Sequence, residues 1–150
     1  MRKLFILFCA TVLVGCEARV DHETAVEWLK APGTEDMDLP FSAAVRVDNM
    51  LYLSGALGYD REKGGLVEGG IQAETKKTLE NISATLEMFG SSMDRVVKCT
   101  VFLADISEWA AMNEVYVTFF PNKPARSALG ANGLALGART EIECIATVSD

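Results

Sequence analysis

Apolar and polar positions alternate along residues 139–148: Thr140, Ile142, Cys144, Ala146 and Val148 point one way, Glu141, Glu143, Ile145 and Thr147 the other. This period of two predicts a strand with two carboxylates on one face. A second run, residues 95–103, sets Val97, Cys99, Val101 and Leu103 opposite Lys98 and Thr100 and predicts another strand. Residues 43–47 and 50–54 read as two short strands joined at Asp48-Asn49, a dipeptide suited to a tight hairpin turn. Leu51 and Leu53 then face one side; Met50, Tyr52 and Ser54 face the other. From Gln72 the period becomes helical, with Thr75, Leu79, Ile82, Leu86 and Phe89 on one stripe, and Gly90 suits the left-handed position that ends a helix. A second helix is predicted from Ser107, as its cap, through Trp109, Met112, Tyr116 and Phe119 to Phe120-Pro121.

Residues 124–129 form a short strand-like run after a proline, with Arg126 between the small Ala125 and Ser127. The link that follows holds Gly130, Gly133 and Gly137, residues that tolerate positive φ, so the chain is expected to fold back. The resulting β-hairpin would carry Arg126 and Glu141 towards the same end of a sheet. On the residues alone, the two serve equally as an ordinary cross-strand charge pair. Residues 58–70 read as a glycine-rich loop with Asp60, Arg61, Glu62 and Lys63 at its tip. The order is ββαβαββ, an α+β domain with two helices on one face of a mostly antiparallel or mixed sheet, whose other face needs cover from elsewhere.

The first sixteen residues stand apart from that domain. Arg2 and Lys3 precede an apolar run too short to span a bilayer, the pattern of a secretory signal. Leu13-Val14-Gly15-Cys16 resembles the bacterial lipobox, which makes residues 1–15 a lipoprotein signal peptide and Cys16 the lipidated first residue of the mature chain. A plain signal peptide is the alternative. The expectation is export, with lipid anchoring to the cell envelope, and Glu17 at the next position favours the outer membrane of a Gram-negative host. Residues 16–36 are read as a tether, in which residues 25–29 form a short helical turn broken by Pro32-Gly33, and residues 37–150 as the domain.

Without Arg2 and Lys3 the chain keeps 12 basic against 21 acidic residues, about −9. Such a surface repels nucleic acid and anionic headgroups. The one histidine, His22, lies in the tether, and no Cys/His cluster has metal-ligand spacing. With Cys9 removed and Cys16 acylated, Cys99 and Cys144 remain, each in a strand-like apolar pattern. A buried free thiol suits such positions; two cysteines do not decide between that and a disulfide.

The stretch PARSALGANGLALGARTEIECIAT, residues 124–147, resembles the C-terminal signature of the YjgF/Rid family, small proteins that hydrolyse reactive enamines and imines. PARS and the strand beginning at Glu141 are its most specific pieces, and the likeness extends upstream to about Leu39. The resemblance implies a chorismate-mutase-like fold, assembled as a homotrimer with ligand sites between subunits. It implies that Arg126 clamps a substrate carboxylate, for which a planar guanidinium fork is well matched. Glu141 matches the acidic residue that activates water, a role for which a partly buried position would raise its pKa. Ser54, with Gly55 beside it, matches a serine near the ligand, and Asn113 an asparagine on the second helix; each serves equally as a structural hydrogen-bonder.

Phe41 stands where many relatives carry a tyrosine, and Ala128 where many carry a cysteine, so the pocket differs in shape and polarity. The implied reaction takes an imino acid such as 2-iminopropionate or 2-iminobutanoate to the 2-keto acid and ammonia, with no cofactor or metal. A non-catalytic module that binds small carboxylates is the alternative from another class. RNA cleavage, reported for some relatives, fits poorly with an acidic chain that lacks a basic groove.

Overall fold

A computed structural model describes residues 23–34 and 36–148. The expected signal peptide, Cys16 and the first part of the tether, with His22, lie outside the described residues. In chain order the elements are β1 (Val26–Leu29), β2 (Ala44–Val47), β3 (Met50–Leu53), β4 (Ala56–Leu57), β5 (Tyr59–Asp60) and β6 (Gly65–Leu66), followed by α1 (Gly70–Met88), β7 (Val96–Leu103), α2 (Trp109–Phe119), β8 (Ala125–Gly130) and β9 (Thr140–Thr147). The sheet runs β1-β2-β3-β9-β7-β8, with β4 also paired to β9; every pairing is antiparallel except β7 with β8. β5 and β6 form a separate small hairpin within the loop expected at residues 58–70.

The two helices cover one face of the sheet, as the helical periods require. Leu79, Ile82 and Leu86 of α1 and Met112 of α2 are fully buried against Cys99, Val101 and Leu103 of β7 and Ile142 of β9. Each such aliphatic side chain stabilises the fold by about 1.5–3 kcal/mol relative to exposure. α1 ends as expected: Gly90 has φ 78°, and Ser91 N–H reaches back to the Leu86 carbonyl at 2.8 Å. Asp48 adopts φ 49° in the tight turn between β2 and β3.

Four local expectations are corrected. The helical turn expected at residues 25–29 is instead β1, in register with β2 from Val26 opposite Val47 to Leu29 opposite Ala44. Val26, Trp28 and Leu29 favour a pleated surface, and Asp48 Oδ1 accepts the Ala25 N–H at 3.0 Å, so the sheet begins upstream of Met37. Val97 is exposed, not part of the apolar face, because an irregularity between Val96 and Lys98 puts Val96 inside in its place. The cap before α2 is Asp105, not Ser107: its carboxylate accepts the Ser107 N–H at 2.9 Å and starts a short 3-10 turn that runs into α2. Hydrogen bonds from Ser107 hold the Asp105 carboxyl below the usual carboxylate range.

The fourth correction concerns the site. β8 and β9 are not a hairpin; β7 lies between them. The segment β7-α2-β8 is a crossover, which brings β8 back parallel to β7. The link from β8 to β9 then passes the end of β7, where Leu103 O accepts from Ala131 N at 2.8 Å and Arg139 O accepts from Ala104 N at 2.9 Å.

The register also places Cys99 directly opposite Cys144, with Cα atoms 4.1 Å apart, and a disulfide joins them beneath the helices. The alternative left open by the sequence is thereby decided in favour of the disulfide.

Candidate functional site

Arg126 lies opposite Cys99, and residues opposite one another in a sheet share a face, so Arg126 lies on the helix-covered side. There α2 meets it. Its Nη1 donates to Asn113 Oδ1 at 2.6 Å, and its guanidinium carbon sits 4.6 Å from the Tyr116 ring centroid and 5.7 Å from that of Trp109. Trp109, Asn113 and Tyr116 are spaced by four and three along α2 and form one stripe. Ala128, two residues on, occupies the same face and packs against the core.

Glu141 faces the other way. Its neighbours Thr140 and Ile142 are fully buried on the helix side, which leaves the half-buried Glu141 on the open face, in register with Phe102 and Leu57. Arg126 and Glu141 are two strands and three register positions apart on opposite faces, with roughly 14 Å between Cα atoms at the usual strand spacings. The two do not form an ion pair, and one chain does not bring them together.

Glu141 instead belongs with the bulge between β3 and β4. A Cβ built on Gly55 would lie 2.0 Å from Glu141 Oε1, so the absence of a side chain at Gly55 is what admits the carboxylate. Ser54 Oγ donates to Ser42 O at 2.7 Å and Ser54 N to Ala43 O at 3.1 Å, which ties the segment after Phe41 to the end of β3. Phe41, Ser54 and Gly55 line a cavity of about 780 Å3 whose other walls include Met37, Leu39, Asn81 and Met88. Asn81 fixes that wall by donating to Leu57 O and Tyr59 O, both at 2.9 Å.

The approach to Glu141 along the chain is also pinned. Glu74, buried on α1, accepts the Arg139 N–H on Oε2 at 2.8 Å, and the Arg139 guanidinium donates to Glu108. Thr140 Oγ1 donates to Phe102 O at 3.2 Å. β9 therefore enters the sheet with its register fixed one residue before Glu141.

The residues predicted for the site thus divide into two groups. Arg126, Ala128 and Asn113 form one, and Phe41, Ser54, Gly55 and Glu141 the other. The sequence places Trp109 and Tyr116 only on one stripe of the second helix. Tyr116 is buried, but Trp109 is 45% exposed and turned to Arg126, and its spacing to Asn113 was the available signal. Among the described residues no group of three or more His, Cys, Asp or Glu is placed to hold a metal ion.

A mixed sheet with two helices on one face and a guanidinium seated on the second helix defines a small α+β protein with a candidate anion-recognition site. A sequence model described as Endoribonuclease L-PSP matches residues 34–148. The chain belongs to this family, the YjgF/Rid family. It is 44% identical over 108 residues to the mouse 2-iminobutanoate/2-iminopropanoate deaminase, covering 71% of this chain and 80% of that protein. The human protein of the same name is 43% identical over 118 residues, covering 78% and 84%. Among solved structures, yeast YEO7 superposes with TM-score 0.76 at 36% identity over 83% of this chain and 100% of that one. E. coli TdcF with bound serine gives TM-score 0.69 at 30% identity, over 81% and 93%.

Proposed function

We propose that this protein hydrolyses reactive 2-imino acids to 2-keto acids and ammonia, in a site completed by two neighbouring copies of the chain. The observation that carries this reading is the state of Arg126. It is half-buried and oriented, yet its partner is an amide oxygen, and no carboxylate among the described residues forms an ion pair with it. A guanidinium held in this way is a receptor for a carboxylate from outside the chain. Relatives more than 40% identical that are named for 2-iminobutanoate and 2-iminopropanoate deamination support the same substrate class.

In this mechanism Arg126 takes the substrate carboxylate as a bidentate pair. Glu141 accepts a proton from water as the oxygen adds to the imine carbon. That proton is passed to nitrogen to give a carbinolamine; its hydroxyl proton then moves to nitrogen as the carbon–nitrogen bond breaks, and ammonia leaves a 2-keto acid. The overall change adds one water and needs no cofactor. Ammonia release from imino acids freshly generated by an amino-acid oxidase tests the reading. Release no faster than spontaneous hydrolysis would reduce the protein to a carboxylate-binding module.

The division of the site motivates the assembly. Trp28, Val45, Tyr52 and Ile145 form a contiguous row across the open face, with Trp28 70% exposed; Phe102 and Leu129 form a second apolar pair on that face, separated from the row by Lys98, Thr100, Ser127 and Glu143. Contiguous apolar area of this kind marks an interface. A homotrimer of closed symmetry would cover it and set Glu141 of one copy against Arg126 of the next.

Gly55→Ala offers a sharp check on the Glu141 half. The clash is with the far end of a flexible side chain, so the fold yields cheaply while the carboxylate is displaced. Turnover should fall about a hundredfold with little change in melting temperature, since small misplacements of a reacting group cost that much. Unchanged turnover would separate Glu141 from the chemistry.

For localisation, we propose export with a lipid at Cys16. The buried Cys99–Cys144 disulfide supports this, because disulfides persist in oxidising compartments. Labelled fatty acid should enter the wild type and not Cys16→Ser; equal labelling would rule out that anchor.

A further inference from the structure

Arg126 sits on an edge strand, and a long side chain there has many rotamers to lose before it can meet a ligand. One hydrogen bond to Asn113 fixes one nitrogen but not the plane of the fork. The Tyr116 ring supplies the rest: it is 5% exposed, wedged against Phe120 with ring centroids 4.6 Å apart, and lies 4.6 Å from the guanidinium carbon. An aromatic face attracts the cation without occupying its N–H donors, whereas a carboxylate would consume them. The fork is held, and its donors other than the one given to Asn113 stay open.

We infer that Tyr116 is a positioning residue for carboxylate recognition, orienting the Arg126 guanidinium through the face of its ring and not through its hydroxyl. The inference rests on the reading of Arg126 as the carboxylate clamp. The hydroxyl is a poor candidate for any role, being buried with no hydrogen-bond partner among the described residues. Burial pushes its pKa up to about 12, against a downward pull from the Arg126 charge, so it stays protonated under working conditions. Trp109 adds a weaker contact from two turns earlier on the same stripe.

The test is calorimetric titration of the purified protein with 2-ketobutanoate, a carboxylate of the product class, beside its neutral amide. Tyr116→Phe keeps the ring and should bind the acid within about twofold of wild type. Tyr116→Leu should bind it about tenfold more weakly, the size of a partly desolvated cation–π contact, while affinity for the amide stays unchanged. KM for imino acids should rise by the same factor as the binding constant, with kcat nearly constant. Because Tyr116 also packs in the core, pentafluorophenylalanine incorporated at residue 116 gives a second arm. It preserves the ring's outline and reverses its quadrupole, so it should weaken binding of the acid as Tyr116→Leu does, at unchanged melting temperature. Equal affinity for the acid in the fluorinated and Tyr116→Phe proteins would overturn the ring-face role, and a loss in Tyr116→Phe as large as in Tyr116→Leu would overturn the exclusion of the hydroxyl. Failure of the wild type to bind the acid at all would overturn the Arg126 clamp, and this inference with it.

Discussion

Co-expressing Arg126→Lys and Glu141→Gln chains should restore about a quarter of wild-type turnover, although each alone is expected to lose about a hundredfold. A lysine presents a point charge in place of the bidentate fork, and glutamine cannot accept the proton of an attacking water. Neither loss alone says where the two residues meet. Mixing does, because the register puts them on opposite faces of one sheet, with β7 between their strands. In a closed ring of three, each site takes Arg126 from one chain and Glu141 from the next. About three assemblies in four are mixed after random association, and each of these has one site built from two unaltered residues. A site contained in one chain would give no recovery, since every chain carries one of the two lesions. Activity at the mean of the two variants would therefore defeat the shared site. Light scattering on the wild type provides the companion measurement: a monodisperse monomer that still hydrolyses imines would defeat the trimer as well.

The limits of the sequence reading follow from what a local pattern contains. Alternation along residues 140–148 states which residues share a face, and the structure buries Thr140, Ile142, Cys144, Ala146 and Val148 accordingly. The stripe Thr75, Leu79, Ile82 and Leu86, the turn at Asp48 and the stop at Gly90 are likewise local and were legible. Pairing is not local. Nothing in residues 124–130 distinguishes a strand that returns in a hairpin from one delivered by a crossover helix, and the glycines of the following link fit both. The consequence for the site is large: a hairpin would have placed Arg126 and Glu141 in one chain's sheet as neighbours, while the parallel crossover separates them. The same gap explains Trp109. A helical stripe of Trp109, Met112, Tyr116 and Phe119 reads as core by period alone, and only the arrival of β8 beside α2 gives Trp109 and Tyr116 a guanidinium to face.

Acidity and site chemistry are compatible for a related reason. The chain carries a net charge of −7 over its full length, a surface that does not attract anions. On the proposed reading, a small carboxylate is recognised locally, by a cation that no carboxylate among the described residues neutralises. Seating Arg126 on rings and an amide achieves this inside an acidic protein, and it explains why the partner on α2 is Asn113 and not an acid.

Removing the Cys99–Cys144 bond should be among the most damaging changes to stability. The bond closes a loop with a sequence separation of 45 residues, spanning the whole of α2 and β8. On the chain-entropy account a loop of that length is worth about 4 kcal/mol through restriction of the unfolded chain. For a domain of this size the loss corresponds to a fall in melting temperature on the order of 10–20 °C. The double variant Cys99→Ala, Cys144→Ala leaves small voids as well, since both positions are buried, so wild type refolded under reductant is the better reference for the bond itself. Both should melt well below oxidised wild type, with the double variant lowest. Activity measured below the melting range should change little, because the register that fixes Arg126 and Glu141 is also held by the strand hydrogen bonds of β7 with β8 and β9. Alkylation under denaturing conditions, followed by mass spectrometry, tests the bond directly: the purified protein should show Cys99 and Cys144 protected until reduction. Full labelling of both without reductant would remove the staple, and with it the structural support for export.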